Sequence, residues 1–255
     1  MVILHYENGR LQERTKLLEV IGLTEADHPV ISVVGAGGKT STIRRLAQEY
    51  VKNGKKVIVT TTTHMMTEDV PWFLTGSSTD QMEESLEKYG QVWVGQPAGG
   101  GKIQQVEGKL LLYILERGIP VLIEADGARR LPLKVPAEHE PVILPETTHV
   151  LSVYGLDSLG ERLRERCFRP ELAERLLGKK GEERILEEDI ALLAASEKAG
   201  RKGCPEHAEY TVILNKADSM ERREKALVIC RLLEKYGICR TAVSSYAEEK
   251  EEKET

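Results

Sequence analysis

Lys39 and Thr40 close a run of small residues, Gly35-Ala36-Gly37-Gly38-Lys39-Thr40-Ser41, and this combination is suited to holding phosphate. Glycines let a backbone curl around an anion, and the free N–H groups of a following helical turn point at it. In that arrangement the Lys39 ammonium reaches the β- and γ-phosphates of a nucleotide, and the Thr40 hydroxyl coordinates Mg²⁺. The usual spacing of such a loop is G-x-x-x-x-G-K-[ST]. Counting back from Gly38 puts Val33 at the first position, so the loop here is the shorter G-x-G-G-K-T beginning at Gly35.

A second group of reactive side chains is Glu124-Ala-Asp126-Gly127, directly after the apolar run Ile119 to Ile123. Carboxylates two residues apart on an extended backbone project on the same side. Glu124 and Asp126 are therefore expected together beside Mg²⁺, one holding the ion and the other orienting the attacking group. Gly127 opens a segment expected to sense the γ-phosphate. The competing reading is a solvated acidic strand end.

The third group is Asn215-Lys216-Ala217-Asp218, after the run Tyr210 to Leu214. This is the N-x-x-D spacing with which guanine is read. The aspartate accepts from the N1 and N2 groups of the base, the asparagine supports its edge, and the lysine stem packs over the ring. Ser244, after the last apolar run, is expected to complete the base pocket. The shortened loop resembles that of Mur-type ligases, which use ATP. Hydrogen-bond readout of a base is the more specific signal, so GTP is expected over ATP.

Two further segments carry polar candidates. Thr62, Thr63 and His64 end the run Val59-Thr-Thr-Thr-Thr-His64 and are candidates for phosphate or substrate contacts. For the threonines before them, β-propensity is sufficient explanation. Residues 131–145, LPLKVPAEHEPVILP, hold four prolines and no clear periodicity, and read either as a substrate or switch loop or as a rigid connector. Their polar candidates are Lys134, Glu138, His139 and Glu140.

These residues need a frame that brings strand ends together. Continuous apolar runs at 30–34, 57–60, 92–94, 119–123, 148–153, 210–214 and 241–243 alternate with helical stretches at 41–53, 79–89, 110–116, 170–199 and 219–236. That pattern indicates an α/β, three-layer P-loop NTPase fold with a mostly parallel sheet covered on both faces. Ligands on such sheets bind at the carboxyl ends of the strands, where every motif above falls. The first thirty residues read as an amphipathic helix burying Leu11, Leu17, Leu18, Val20 and Ile21, and residues 95–104 as loop. One nucleotide-binding domain is expected over residues 1–246, followed by a charged, disordered tail at 247–255.

Composition narrows the partners. A net charge of −5 over 255 residues argues against a nucleic-acid surface. No apolar stretch is long enough to span a membrane, and the start MVILHYENGR lacks the pattern of a signal peptide, so a cytoplasmic location is expected. The four cysteines show no paired spacing, and Cys204-Pro-Glu-His207 alone does not make a zinc site.

GAGGKTS, VTTTTH, EADGARRLPLKVPAEHEPVILP, VYGLDSLG, CFRPE and LNKAD together, in this order, resemble the YqeC-like selenium cofactor biosynthesis proteins, also called selenium-dependent hydroxylase accessory proteins. The likeness covers roughly residues 15 to 245. It implies a P-loop fold and a role in maturing selenium-dependent molybdenum hydroxylases, with such a hydroxylase or another maturation protein as partner. It specifies no reaction. Three functions remain open: an NTP-hydrolysing accessory protein, an ATP-dependent kinase or ligase acting on a cofactor precursor, and a module that holds nucleotide without turnover.

Overall fold

In the computed structural model, residues 2–76 and 78–246 are described; the charged tail at 247–255 lies outside them. In chain order the elements are β1 (Val2–Glu7), β2 (Arg10–Glu13), α1 (Leu17–Val20), β3 (Val30–Gly35), α2 (Lys39–Lys52), β4 (Val57–Thr61), β5 (His64–Met66) and β6 (Phe73–Thr75). There follow α3 (Thr79–Tyr89), β7 (Gln91–Gly99), β8 (Lys102–Gln104), α4 (Lys109–Glu116), β9 (Val121–Glu124), β10 (Leu133–Lys134) and β11 (His149–Gly155). The last are α5 (Leu163–Arg166), β12 (Cys167–Phe168), α6 (Pro170–Leu177), α7 (Glu187–Ala195), β13 (Glu209–Asn215), α8 (Met220–Lys235) and β14 (Thr241–Ser245).

One sheet has the order β2-β1-β14-β13-β11-β3-β9-β4-β7-β8-β5, with β6 beside β7. The seven strands from β14 to β7 run parallel, and antiparallel hairpins extend both ends. Alternation along the strands explains the layers. Ile31, Val33, Val57, Val59 and Leu122 pack with Ile43, Leu46 and Tyr50 of α2 on one face. Val30, Ile58, Val121 and Ile123 meet Met82, Leu86 and Ile114 of α3 and α4 on the other. Val212, Leu214 and Val243 join that second face to Ile190, Leu193, Ile229 and Leu233 of α7 and α8. The fold is therefore α/β, with three layers and a mostly parallel sheet.

Helix α3 begins at a capping box, in which the Ser78 side chain accepts from the Gln81 N–H, and ends on Gly90 in the left-handed region. Glu49 of α2, buried, accepts from the N–H groups of Leu17 and Leu18 at 2.8 and 2.9 Å, so α2 supplies the cap that α1 lacks locally.

Two expectations are corrected. The first thirty residues do not form one helix. Asn8 and Gly9, with φ of 51° and 76°, turn a hairpin between β1 and β2, and only the short α1 follows. An Asn-Gly pair between apolar segments is a strong hairpin signal, and it prevails over the helical spacing of the leucines. Leu17, Leu18, Val20 and Ile21 are nonetheless buried as expected. Residues 95–104 are not loop: β7 continues to Gly99, and Gly99 to Gly101, all at positive φ, return the chain into β8.

Candidate nucleotide site

The sheet order places β9 and β11 on either side of β3, so the loop leaving β3 opens over the point where connections diverge to both sides. Gly35, Gly37 and Gly38 have φ of 87°, 84° and 133°. A Cβ on Gly37 would stand 2.2 Å from the Gly155 nitrogen, and one on Gly38 2.1 Å from Asn215 Nδ2. Both conformation and space therefore require glycine. The Ala36 N–H donates to the Val153 carbonyl and the Gly37 N–H to the Leu131 carbonyl, which fixes the loop's path. Gly38 leaves the start of α2 without a side-chain cap and its first turn without an acid. The N–H groups of that turn have no intrahelical acceptors, the condition under which a helix start receives an anion.

Gly37, Gly38, Lys39, Thr40 and Ser41 line a cleft of about 610 Å³. Its other walls are Glu124, the turn Gly127 to Leu131, Glu140, Phe168, Arg169, Lys216, and a side formed by His64, Met65, Met66, Glu68 and Lys102. The Thr40 hydroxyl donates to Glu124 Oε2 at 2.7 Å. Burial pushes the Glu124 carboxyl above its ordinary value despite the opposing Lys39 charge. Burial also works against the Lys39 ammonium, but Asp126 and then Glu124 outweigh it and its pKa is raised.

Asp126 does not line the cleft. It lies beneath the loop, where Oδ2 accepts from the Gly35 N–H at 3.0 Å and Oδ1 is 3.2 Å from Lys39 Nζ. Lys134, fully buried, sits 3.0 Å from Asp126 Oδ2 and 2.7 Å from Glu140 Oε2, and donates to the Gly127 carbonyl at 2.6 Å. Arg169 closes the series with a two-pronged contact to Glu140 at 2.8 and 3.2 Å. Burial raises the Glu140 carboxyl, yet the hydrogen bonds from Arg169 and Lys134 prevail and hold it at about 2. The result is an alternating chain, Lys39, Asp126, Lys134, Glu140, Arg169, running from the glycine loop to the far wall. The expectation that Glu124 and Asp126 face one side is corrected, because β9 ends at Glu124 and the backbone leaves strand geometry before Asp126.

Several other candidates fall outside the cleft. The hydroxyls of Thr60, Thr61 and Thr62 donate to the carbonyls of Val94, Glu124 and Val142, which ties neighbouring segments together. Thr62 and Thr63 do not line the cleft, whereas His64 does. Lys134 and Glu140 belong to the site; Glu138 and His139 are exposed beyond it.

Asn215, Lys216 and Asp218 lie at the end of β13, next to the loop. Asn215 Nδ2 donates to the Gly37 carbonyl at 2.9 Å, and the Ser244 hydroxyl donates to Asn215 Oδ1 at 3.1 Å. Lys216 pairs with Asp157 at 2.8 Å. The Ser245 hydroxyl donates to Asp218 Oδ1 at 2.5 Å, and the Asp218 side chain, 40% exposed, is also 3.3 Å from Arg222. Of the Asn215-to-Asp218 segment, only Lys216 touches the cleft, so the base-reading candidates stand outside the space around the phosphate loop.

Residues missed from the pattern are Asp157, Phe168, Arg169, Arg129 and Arg130. Phe168 and Arg169 reach the site because β12 pairs in parallel with β10, an arrangement of two-residue strands with no periodicity to read. Arg129 and Arg130 have φ of 47° and 62°, a left-handed conformation that costs a side-chain-bearing residue about 1–3 kcal/mol.

Among the described residues, no group of three or more His, Cys, Asp or Glu could hold a metal ion, and no helix is long and apolar enough to cross a membrane. The four cysteines are free.

A family model described as "YqeC protein" matches residues 31–171, the span from β3 through Arg169 that builds the cleft. Among curated proteins, "Uncharacterized protein YqeC" of Escherichia coli (strain K12) is 36% identical over 150 residues, which cover 56% of this chain and 59% of that protein. The match thus spans less than two thirds of that relative. The segment from Asn215 to Asp218 lies outside the residues matched by the family model.

Proposed function

The chain belongs to the YqeC protein family, and from that premise we propose that it is a Mg²⁺-dependent nucleotide-binding protein, an NTPase that takes GTP in preference to ATP. One observation carries the reading: three glycines held at positive φ bring an uncapped helix start, Lys39 and Thr40 to one wall of a deep cleft, with Glu124 opposite Thr40. The first-turn N–H groups and the Lys39 ammonium would grip the β- and γ-phosphates.

The donors beside Lys39 suit the metal. Thr40 and Glu124 offer hard oxygen atoms at 2.7 Å from each other. Mg²⁺ is ordinarily held by one or two protein oxygens together with phosphates and water, so a larger cluster of protein ligands is not required. When bound there, the ion would neutralise charge on the β- and γ-oxygens. Asp126 is assigned a positioning role: it holds the Gly35 N–H and the Lys39 ammonium, and so shapes the loop around the phosphates.

The preference for guanine rests on Asp218. Its carboxylate is exposed at the end of β13, while Asn215, hydrogen-bonded to Gly37, ties the base-side segment to the phosphate loop. Comparing GTP, ATP and xanthosine triphosphate in the parent and in Asp218→Asn tests this. GTP preference should fall by at least about tenfold in the variant. A parent protein that prefers ATP would instead favour the second reading, a kinase or ligase acting on a cofactor precursor. That reading draws on the Mur-like shortened loop and on space in the cleft beyond the phosphate loop. The cellular role proposed is that of an accessory factor in selenium and molybdenum cofactor maturation, serving selenium-dependent hydroxylases. It follows from the motif resemblance across residues 15 to 245.

A further inference from the structure

We infer that Arg129, Arg130 and Lys102, with Phe168, form a subsite for an oxyanion of a second substrate, separate from the nucleotide phosphates. The inference rests on the nucleotide reading of the glycine loop. The first ground is charge. Six cations line the cleft: Lys39, Lys102, Arg129, Arg130, Arg169 and Lys216. Lys39 faces Asp126, Arg169 is held by Glu140, and Lys216 by Asp157. Lys102, Arg129 and Arg130 have no ion-pair partner among the described residues. Grouping unpaired cations in one cleft of a chain with net charge −5 raises the local concentration of anions.

The second ground is the way the far wall is built. The Arg169 guanidinium lies 4.2 Å from the centre of the Phe168 ring, and that of Arg129 lies 5.0 Å from it. Arg169 is pinned by Glu140, so Phe168 is fixed, and the ring in turn orients Arg129. Arg129 is thus steered without spending its hydrogen-bond donors on a carboxylate. A guanidinium presents a planar fork of donors that fits a carboxylate or a phosphate in two-pronged fashion. Two successive arginines in the left-handed region hold these donors at the cleft wall, a conformation that side chains seldom adopt without a demand on the site.

The third ground is space. Asp218 and Ser244, the candidates for reading the base, do not line the cleft, so the base is expected to project away from it. The cleft of about 610 Å³ then receives the triphosphate tail and still has a wall, formed by Arg129, Arg130 and Phe168, across from the start of α2. An oxyanion held there would lie beside the terminal phosphate.

The test fills the nucleotide site first. A triphosphate analogue with nitrogen in place of the β,γ-bridging oxygen, carrying whichever base the parent prefers, is added to saturation with Mg²⁺. Inorganic phosphate is then titrated calorimetrically into the complex, and acetate in a parallel arm, the tighter of the two showing which oxyanion class is favoured. The expected result is saturable binding of one anion in the parent. Arg129→Gln/Arg130→Gln should weaken that binding by about tenfold or more while changing analogue affinity by less than about threefold. Lys102→Gln, on a separate strand, should weaken anion binding in the same direction. Absence of saturable anion binding to the parent complex would overturn the inference. A double variant that loses analogue affinity in parallel would also overturn it, because the arginines would then serve the nucleotide itself. Failure of the parent to bind the analogue at all would be seen before any anion is added. That outcome would overturn the nucleotide reading, and this inference with it.

Discussion

Asn215 Nδ2 donates a hydrogen bond of 2.9 Å to the carbonyl oxygen of Gly37, so the segment positioned to read a base and the loop positioned to hold phosphate are directly joined. The same nitrogen would lie 2.1 Å from a Cβ on Gly38, which shows how closely the amide is pressed to the loop.

Asn215→Ala is therefore expected to weaken GTP and ATP equally, because it acts through the phosphate loop and not through the base. It leaves the Gly37 carbonyl without its donor and the Ser244 hydroxyl without its acceptor, a loss of about 1–3 kcal/mol in stability. Fluorescence titrations with both nucleotides, together with urea unfolding, read the two effects. Full affinity for both nucleotides in the variant would show that the contact is incidental to binding.

Lys134 is fully buried between two carboxylates, 3.0 Å from Asp126 and 2.7 Å from Glu140. Lys134→Met should destabilise the protein by about 3–5 kcal/mol, since it strands buried charge that the apolar side chain cannot compensate. Denaturant titration gives the value. A loss below about 1 kcal/mol would mean that Lys39 and Arg169 hold the acids unaided.

Glu140 supplies the pH dependence. Burial raises its carboxyl, but Arg169 and Lys134 bring it from the ordinary 4.5 down to about 2. A carboxylate whose folded value lies below its unfolded value contributes stability that is complete above the unfolded value and is lost as pH falls through the folded one. The parent should lose stability between pH 4.5 and about 2 from this group. Glu140→Gln should be less stable at neutral pH and show a shallower loss over that interval, as followed by denaturant unfolding at stepped pH. An unchanged slope would remove Glu140 from the acid response.

Much of this arrangement was readable before the structure. The runs at 30–34, 57–60 and 119–123 are continuous and β-branched because these strands are buried on both faces, and such runs show directly in sequence. The loop from Gly35 to Ser41 and the segment from Asn215 to Asp218 were legible because their chemistry depends on residue type at close spacing. The ion chain was not. Lys134, Glu140 and Arg169 meet through pairing of β10 with β12, two-residue strands more than thirty positions apart, and no local period records that contact. The N-terminal hairpin was misread because the spacing of the leucines was weighted above the Asn8-Gly9 turn. Asp126 was misplaced because the two-residue period of a strand was carried past the point where β9 ends.

The most direct test of the nucleotide site is calorimetric titration of the parent, Lys39→Ala and Thr40→Val with GTP and ATP, each with and without Mg²⁺. Lys39 touches both the loop, through the Gly35 carbonyl at 3.0 Å, and Asp126, so thermal unfolding is recorded alongside and Thr40→Val provides an independent variant. The parent should bind one equivalent of triphosphate, more tightly with Mg²⁺. Lys39→Ala should lose about 100-fold in affinity, about 2.7 kcal/mol, and Thr40→Val should lose the gain from Mg²⁺. A folded parent that binds neither nucleotide, or a folded Lys39→Ala that binds as tightly as the parent, would contradict the account.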